Sequence, residues 1–162
     1  MAPDPIVFAL ANPTPEIWPA TARSAGAAIV ATGRSDFPNQ VNNSLVFPAV
    51  FRGVLDARAR SIPDEVVLAA VRELAARARD RGLSATHILP TMAESDAFPH
   101  VAAAVAVRAV ELGIARERRS RAEFLARAQE LMRRPAKLAR ELLRAGLTVP
   151  MPDETNPRRS RR

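Results

Sequence analysis

The chain has 162 residues, of which 48% are apolar, enough for one domain with a real core rather than a disordered chain. There is no cysteine, which excludes disulfides, thiolate metal sites and cysteine nucleophiles, and aromatics make up only 4%, so the core must be built from Ala, Val, Leu and Ile. The net charge of +7 rests almost wholly on arginine, Lys137 being the only lysine. Arginine alternates with glutamate over residues 72–144, as on solvated helix faces. With no aromatic interleaving and no nucleic-acid motif, the charge does not point to nucleic acid.

The elements follow in chain order. Pro5–Ala11 is a short apolar run of β-formers that reads as a buried strand, stopped at Asn12 by Pro13. Residues 15–25 read as a short helix, with Pro15 in its first turn and Gly26 closing it. Ala27–Thr32 is a second apolar strand, and strand, helix and strand together imply a βαβ unit with parallel strands. Gly33–Pro38 is a loop. From about Asn39 an amphipathic helix is expected to run to Ala59, kinked or divided by Pro48.

Ser61–Asp64 has the S-x-x-D pattern of a helix start. The helix it opens should bury Val67, Val71, Leu74 and Ala78 and end at Gly82. His87–Pro90 is a short extended segment, and Phe98–Leu112 is an Ala- and Val-rich helix stopped by Gly113. Ser120 and Glu123 form a second capping-box pattern. The helix it opens is expected to break at Pro135, resume through Leu138, Leu142 and Leu143, and end at Gly146. There is no internal repeat. The fold class is α/β: a partial Rossmann-like parallel sheet of two or three strands followed by a helix-rich C-terminal portion.

In open parallel sheets, ligands sit beyond the carboxyl ends of the strands. Asn12 and Gly33 mark two such ends, and Asn42 and Asn43 lie near the start of the next helix, where free backbone N–H groups favour an anion. An asparagine holds a carboxylate, hydroxyl or carboxamide without charge. On the residues alone, Asn12 is equally a turn residue and Asn42 and Asn43 are equally helix caps. Gly33–Asp36 either shapes the cofactor side of a pocket or is a plain loop. His87, His100, Asp36, Glu94 and Asp96 have no metal-ligand spacing.

The stretches PIVFALANPTPEI and AGAAIVATGRSDFPNQVNNSLVFPAVFRGVLDARA resemble the malic enzyme family, as do HILP and FPHVAAAVAVRAVELGIAR further on. The resemblance covers about residues 3–147. It implies that residues 1–147 are the C-terminal part of an NAD(P)-binding domain and leaves 148–162 as a disordered basic tail. The implied activity is oxidation of malate by NAD or NADP and decarboxylation to pyruvate, with a divalent metal (Mg or Mn). The family's substrate-binding asparagines would fall on Asn12 and Asn42, with Asn43 beside them. The cofactor side would fall on Asn12, Asn42, Gly33 and Ser35.

No G-x-G-x-x-G phosphate loop occurs, and there is no tyrosine to match the family's proton donor. The family's catalytic lysine and acidic metal ligands belong upstream, so no catalytic residue and no metal ligand is expected in this chain. The expected partners are malate or pyruvate, the missing N-terminal catalytic part and, in the complete enzyme, further copies of itself, with no nucleic acid and no membrane. Met1 precedes a core strand directly, which suggests a truncation, gene fragment or split product that is inactive alone. The alternative is a non-catalytic module binding a dicarboxylate or a partner. Asp4 interrupts any signal-peptide pattern, and the expected location is cytoplasmic.

Overall fold

Ile6–Ala9 (β1) and Ile29–Thr32 (β2) pair in parallel, Ile6 opposite Ile29 and Ala9 opposite Thr32. Between them runs a short helix, Pro19–Ser24 (α1), so the expected βαβ unit is present. The computed structural model describes residues 2–147; the expected tail at 148–162 lies outside the described residues. One face of the pair packs on α1 through Val7, Ile17, Ala22, Ala27 and Val30. The chain then returns beside β2, where Thr32 bridges Gln40 in parallel. The sheet itself has two strands.

Two helix starts differ from expectation, the first because the residue that would continue it precedes a proline. The residue before a proline is pushed out of the α region. Trp18, before Pro19, is extended (φ −70°, ψ 142°), so α1 starts at Pro19 and not at Pro15. Pro63 is likewise extended (φ −72°, ψ 164°) and caps the helix Asp64–Asp80 (α3) without a side-chain bond. The expected Ser61 capping box therefore does not form. Pro48 neither kinks nor divides a helix: it sits in the first turn of Phe47–Ala57 (α2), where its missing N–H costs nothing. The segment before it is not an α-helix: Asn42 is extended and a single 3-10 turn follows at Asn43–Leu45.

Three helices form the remainder of the core. Ala97–Glu111 (α4) packs against both α2 and α3. The approach to α2 is close because residue 53 is glycine: a Cβ there would lie 2.3 Å from the Ala102 carbonyl oxygen. On α3 the buried face is Val66, Ala70, Leu74 and Ala78, whereas Val67 and Val71 are 39% and 49% exposed. Leu74 and Ala78 are buried as expected, while in the first two turns the buried positions are Val66 and the small Ala70 in place of Val67 and Val71.

Ser120 and Glu123 do form the expected reciprocal box. Ser120 N–H donates to Glu123 Oε2 at 2.8 Å, and Glu123 N–H donates to Ser120 Oγ at 3.3 Å. The helix they open, Arg121–Arg144 (α5), runs through Pro135 without the expected break. Proline inside a helix forfeits one backbone hydrogen bond. The chain divides into two compact units, Met1–Gln129 and Glu130–Arg162. In the first, Phe124 and Ala128 of α5 are buried, and Arg127 joins Arg52 on the buried Asp56 carboxylate, each at 2.7 Å. Among the described residues no helix is long and apolar enough to cross a membrane.

Candidate functional site

Beyond the carboxyl ends of β1 and β2 lies an open cleft of about 750 Å³, lined by Asn12, Pro13, Gly33, Arg34, Ser35, Asp36, Gln40 and Asn42. Of the residues singled out from sequence, Asn12, Gly33, Ser35 and Asn42 all fall in its wall. Asn43 does not: it opens the 3-10 turn with its side chain exposed.

Gly33 is the meeting point. A Cβ on it would lie 2.4 Å from Asn12 Nδ2, so the Asn12 amide rests against the Gly33 backbone and a side chain at position 33 would push it aside. Asn42 Nδ2 donates to the Gly33 carbonyl at 3.2 Å, while Asn42 Oδ1 accepts from Ser44 N–H at 3.0 Å. Asn42 is therefore both the cap of the 3-10 turn and a cleft residue, with one amide hydrogen left over. Among the described residues no hydrogen bond holds the Asn12 amide, whose donors and acceptor remain free for a ligand.

Sequence reasoning missed two residues that shape this site. Asn39 is 6% exposed and in the left-handed region (φ 57°) that asparagine tolerates better than most residues. Its Nδ2 donates to Val30 O at 3.1 Å and Ala85 O at 2.8 Å, and its Oδ1 accepts from Ile88 N–H at 3.0 Å. Asn39 thus pins the cleft loop to the segment before α4. Its partners in the strand β2 and the distant 84–88 segment distinguish it from Asn42 and Asn43.

Arg34 is the second. Its Nε and Nη2 donate to the two Asp36 carboxylate oxygens, each at 2.8 Å, and its Nη1 donates to the Pro13 carbonyl at 2.7 Å. The guanidinium carbon lies 5.6 Å from the Trp18 ring centre and 5.9 Å from that of Phe37. The hydrogen bonds from Arg34 hold the Asp36 carboxyl below its ordinary range, and Asp36 raises the arginine in turn. With its charge matched, Arg34 is a brace in the wall rather than a free cation.

The remaining carboxylates and histidines stay apart from the cleft. Thr91 N–H, donating to Glu94 Oε2 at 2.6 Å, leads the interactions that hold the Glu94 carboxyl down to about 2, with His87 and Arg81 adding to it. Arg81 bonds both Glu94 and Asp96. Among the described residues no group of three or more His, Asp or Glu could hold a metal ion. The described donors thus offer no such set for a divalent metal.

Residues 1–111 match the family described as malic enzyme, NAD binding domain. The chain belongs to the malic enzyme family. The bifunctional malic/malolactic enzyme of Bacillus subtilis (strain 168) is 54% identical over 116 residues, which are 72% of this chain and 28% of that protein. The NAD-dependent malic enzyme of Geobacillus stearothermophilus is 48% identical over 117 residues, 72% of this chain and 24% of that one. Among solved structures, Entamoeba histolytica malic enzyme superposes with a TM-score of 0.88 at 44% identity, covering 92% of this chain and 31% of that one. The chain thus spans less than a third of each of these relatives.

Proposed function

We propose that this chain supplies the substrate and nicotinamide side of an NAD(P)-dependent malic enzyme, which oxidises malate and decarboxylates the product to pyruvate. Residues 1–147 would be the C-terminal part of its NAD(P)-binding domain. The observation that carries this is the convergence of Asn12, Gly33, Ser35 and Asn42 on one cleft at the strand ends. Asn12, with its amide free, orients a malate carboxylate or hydroxyl. The spare Asn42 amide hydrogen adds a second donor, and Gly33 and Ser35 lie along the nicotinamide. Asn43 would meet substrate only from the open side.

The bound dinucleotide supplies the hydride acceptor. This chain's own part is to bind and orient malate against it, and two neutral amides do so without drawing in a counter-ion. Proton transfer and a divalent metal would belong to the portion of the enzyme outside this chain. The complete enzyme is proposed to be a cytoplasmic homo-oligomer. One observation favours a second reading, a non-catalytic partner-binding module: Ile6, Phe8 and Leu10 are 57%, 51% and 52% exposed, an apolar face that a complementing chain would cover.

The isolated chain, given malate, Mg²⁺ and NAD⁺ or NADP⁺, is expected to form no NAD(P)H above background. Transplanted in place of the matching segment of the Bacillus subtilis enzyme, it is expected to sustain malate-dependent NAD(P)H formation. A folded but inactive chimera would count against the catalytic reading and favour the binding module.

A further inference from the structure

We propose that Arg34 is a positioning residue that sets the Asn12 amide in the cleft. Asn12 has no hydrogen bond of its own among the described residues, so its place depends on the backbone on either side of it. Immediately after it, the Pro13 carbonyl accepts from Arg34 Nη1 at 2.7 Å. The other two nitrogens of the guanidinium are fixed on Asp36, two residues further along the opposite loop. The plane of the group is held by Trp18 and Phe37, whose ring centres are 6.1 Å apart. One planar fork thus ties the loop after β1 to the loop after β2, across the point where the Asn12 amide meets Gly33.

Lysine cannot replace it. An ammonium has the charge, but it has no rigid fork to hold a carboxylate with two parallel bonds and a carbonyl with a third, nor a flat face for the two rings. The brace is also cheap in stability: the Arg34 side chain is 31% and that of Asp36 55% exposed, and an ion pair open to solvent on one side contributes little to folding. An effect on Asn12 is therefore separable from an effect on folding. The inference rests on the proposed role of Asn12 only for its effect on ligand binding, not for its effect on geometry.

The test uses the full chain, labelled with ¹⁵N, as wild type and as Arg34→Lys. The side-chain amide resonances of Asn12 and Asn39 and the indole resonance of Trp18, the single tryptophan, are followed together with the thermal midpoint. In Arg34→Lys the Asn12 amide pair and the Trp18 indole are expected to shift, as the Asn12 amide leaves Gly33 and the indole loses the guanidinium beside it. Asn39, buried on other partners, and the thermal midpoint are expected to stay. L-malate, added as the probe, is expected to bind about tenfold more weakly to the variant, the effect of one misaimed hydrogen bond. Asp36→Asn, which leaves the arginine but loosens the far side of its fork, is expected to shift the same two resonances less.

An unmoved Asn12 pair in both variants would overturn the proposal, and so would a general shift that includes Asn39. If the Asn12 pair moves while wild type and variant bind malate equally or not at all, Arg34 positions Asn12 as proposed and the malate-holding role of Asn12 is what fails.

Discussion

The helical block and the two-stranded sheet are built from similar apolar residues but use them differently. In α4 seven of the ten Ala and Val residues are buried, and α2 approaches so closely that Gly53 has no room for a methyl group. In the sheet, Val7 and Val30 are covered by α1, while Ile6 and Phe8 on the opposite face of β1 are more than half exposed. A parallel sheet is ordinarily covered on both faces. The block therefore carries the stability of this chain, and the sheet carries the site, held in place by side-chain bonds more than by burial.

The comparison is sharpest in two phenylalanines. Phe124 is 1% exposed and Phe8 51%. Truncating Phe124 to alanine is expected to cost about 3–5 kcal/mol of unfolding free energy, and truncating Phe8 less than about 1 kcal/mol, measured by denaturant unfolding. Equal costs would break the distinction between the two regions. Gly53→Ala follows at about 3 kcal/mol, because the clashing atom is a backbone oxygen that cannot rotate away. Asn39→Ala, which strips one buried and two part-buried hydrogen bonds at the junction of the two regions, is expected to cost about 2 kcal/mol.

The smallest effect is one of pH. The Glu94 carboxyl lies at about 2 in the folded chain, against an ordinary 4.5. The unfolded chain thus binds the proton more readily, and the stability Glu94 contributes is fully present above about pH 4.5 and is lost as the pH falls towards 2. Glu94→Gln is expected to remove that part of the acid dependence, checked by unfolding at several pH values. A variant with the wild-type slope over this range would show that the carboxyl is not the group responsible.

Much of this was legible in the sequence where the cause is local. Pro5, Asn12-Pro13 and the apolar runs mark β1 and β2, and Ser120 with Glu123 marks the start of α5. The misplaced starts of α1 and α3 are local too: Trp18 is extended because a proline follows it, and at α3 the extended Pro63, not Ser61, is the cap. What was not legible depends on residues far along the chain. The three asparagines of the NQVNN run are chemically alike. Asn39 becomes structural only because β2 and the 84–88 segment supply its partners, and Asn42 keeps a cleft position because its bond goes to Gly33. Arg34 reads as one more solvated arginine until Pro13, 21 residues earlier, is placed beside it. The Val66 face of α3 likewise follows from its fit to α4, which α3's own periodicity does not contain.

The central claim, that Asn12 in this cleft holds the substrate of a malic enzyme, is tested most directly by Asn12→Ala in the chimera with the Bacillus subtilis relative. Because the Asn12 side chain is exposed and makes no hydrogen bond among the described residues, folding stability should stay within about 0.5 kcal/mol of the parent. The expected result is a fall of about 100-fold in kcat/KM for malate at that unchanged stability. A variant that folds equally well and oxidises malate at the parent rate would contradict the claim.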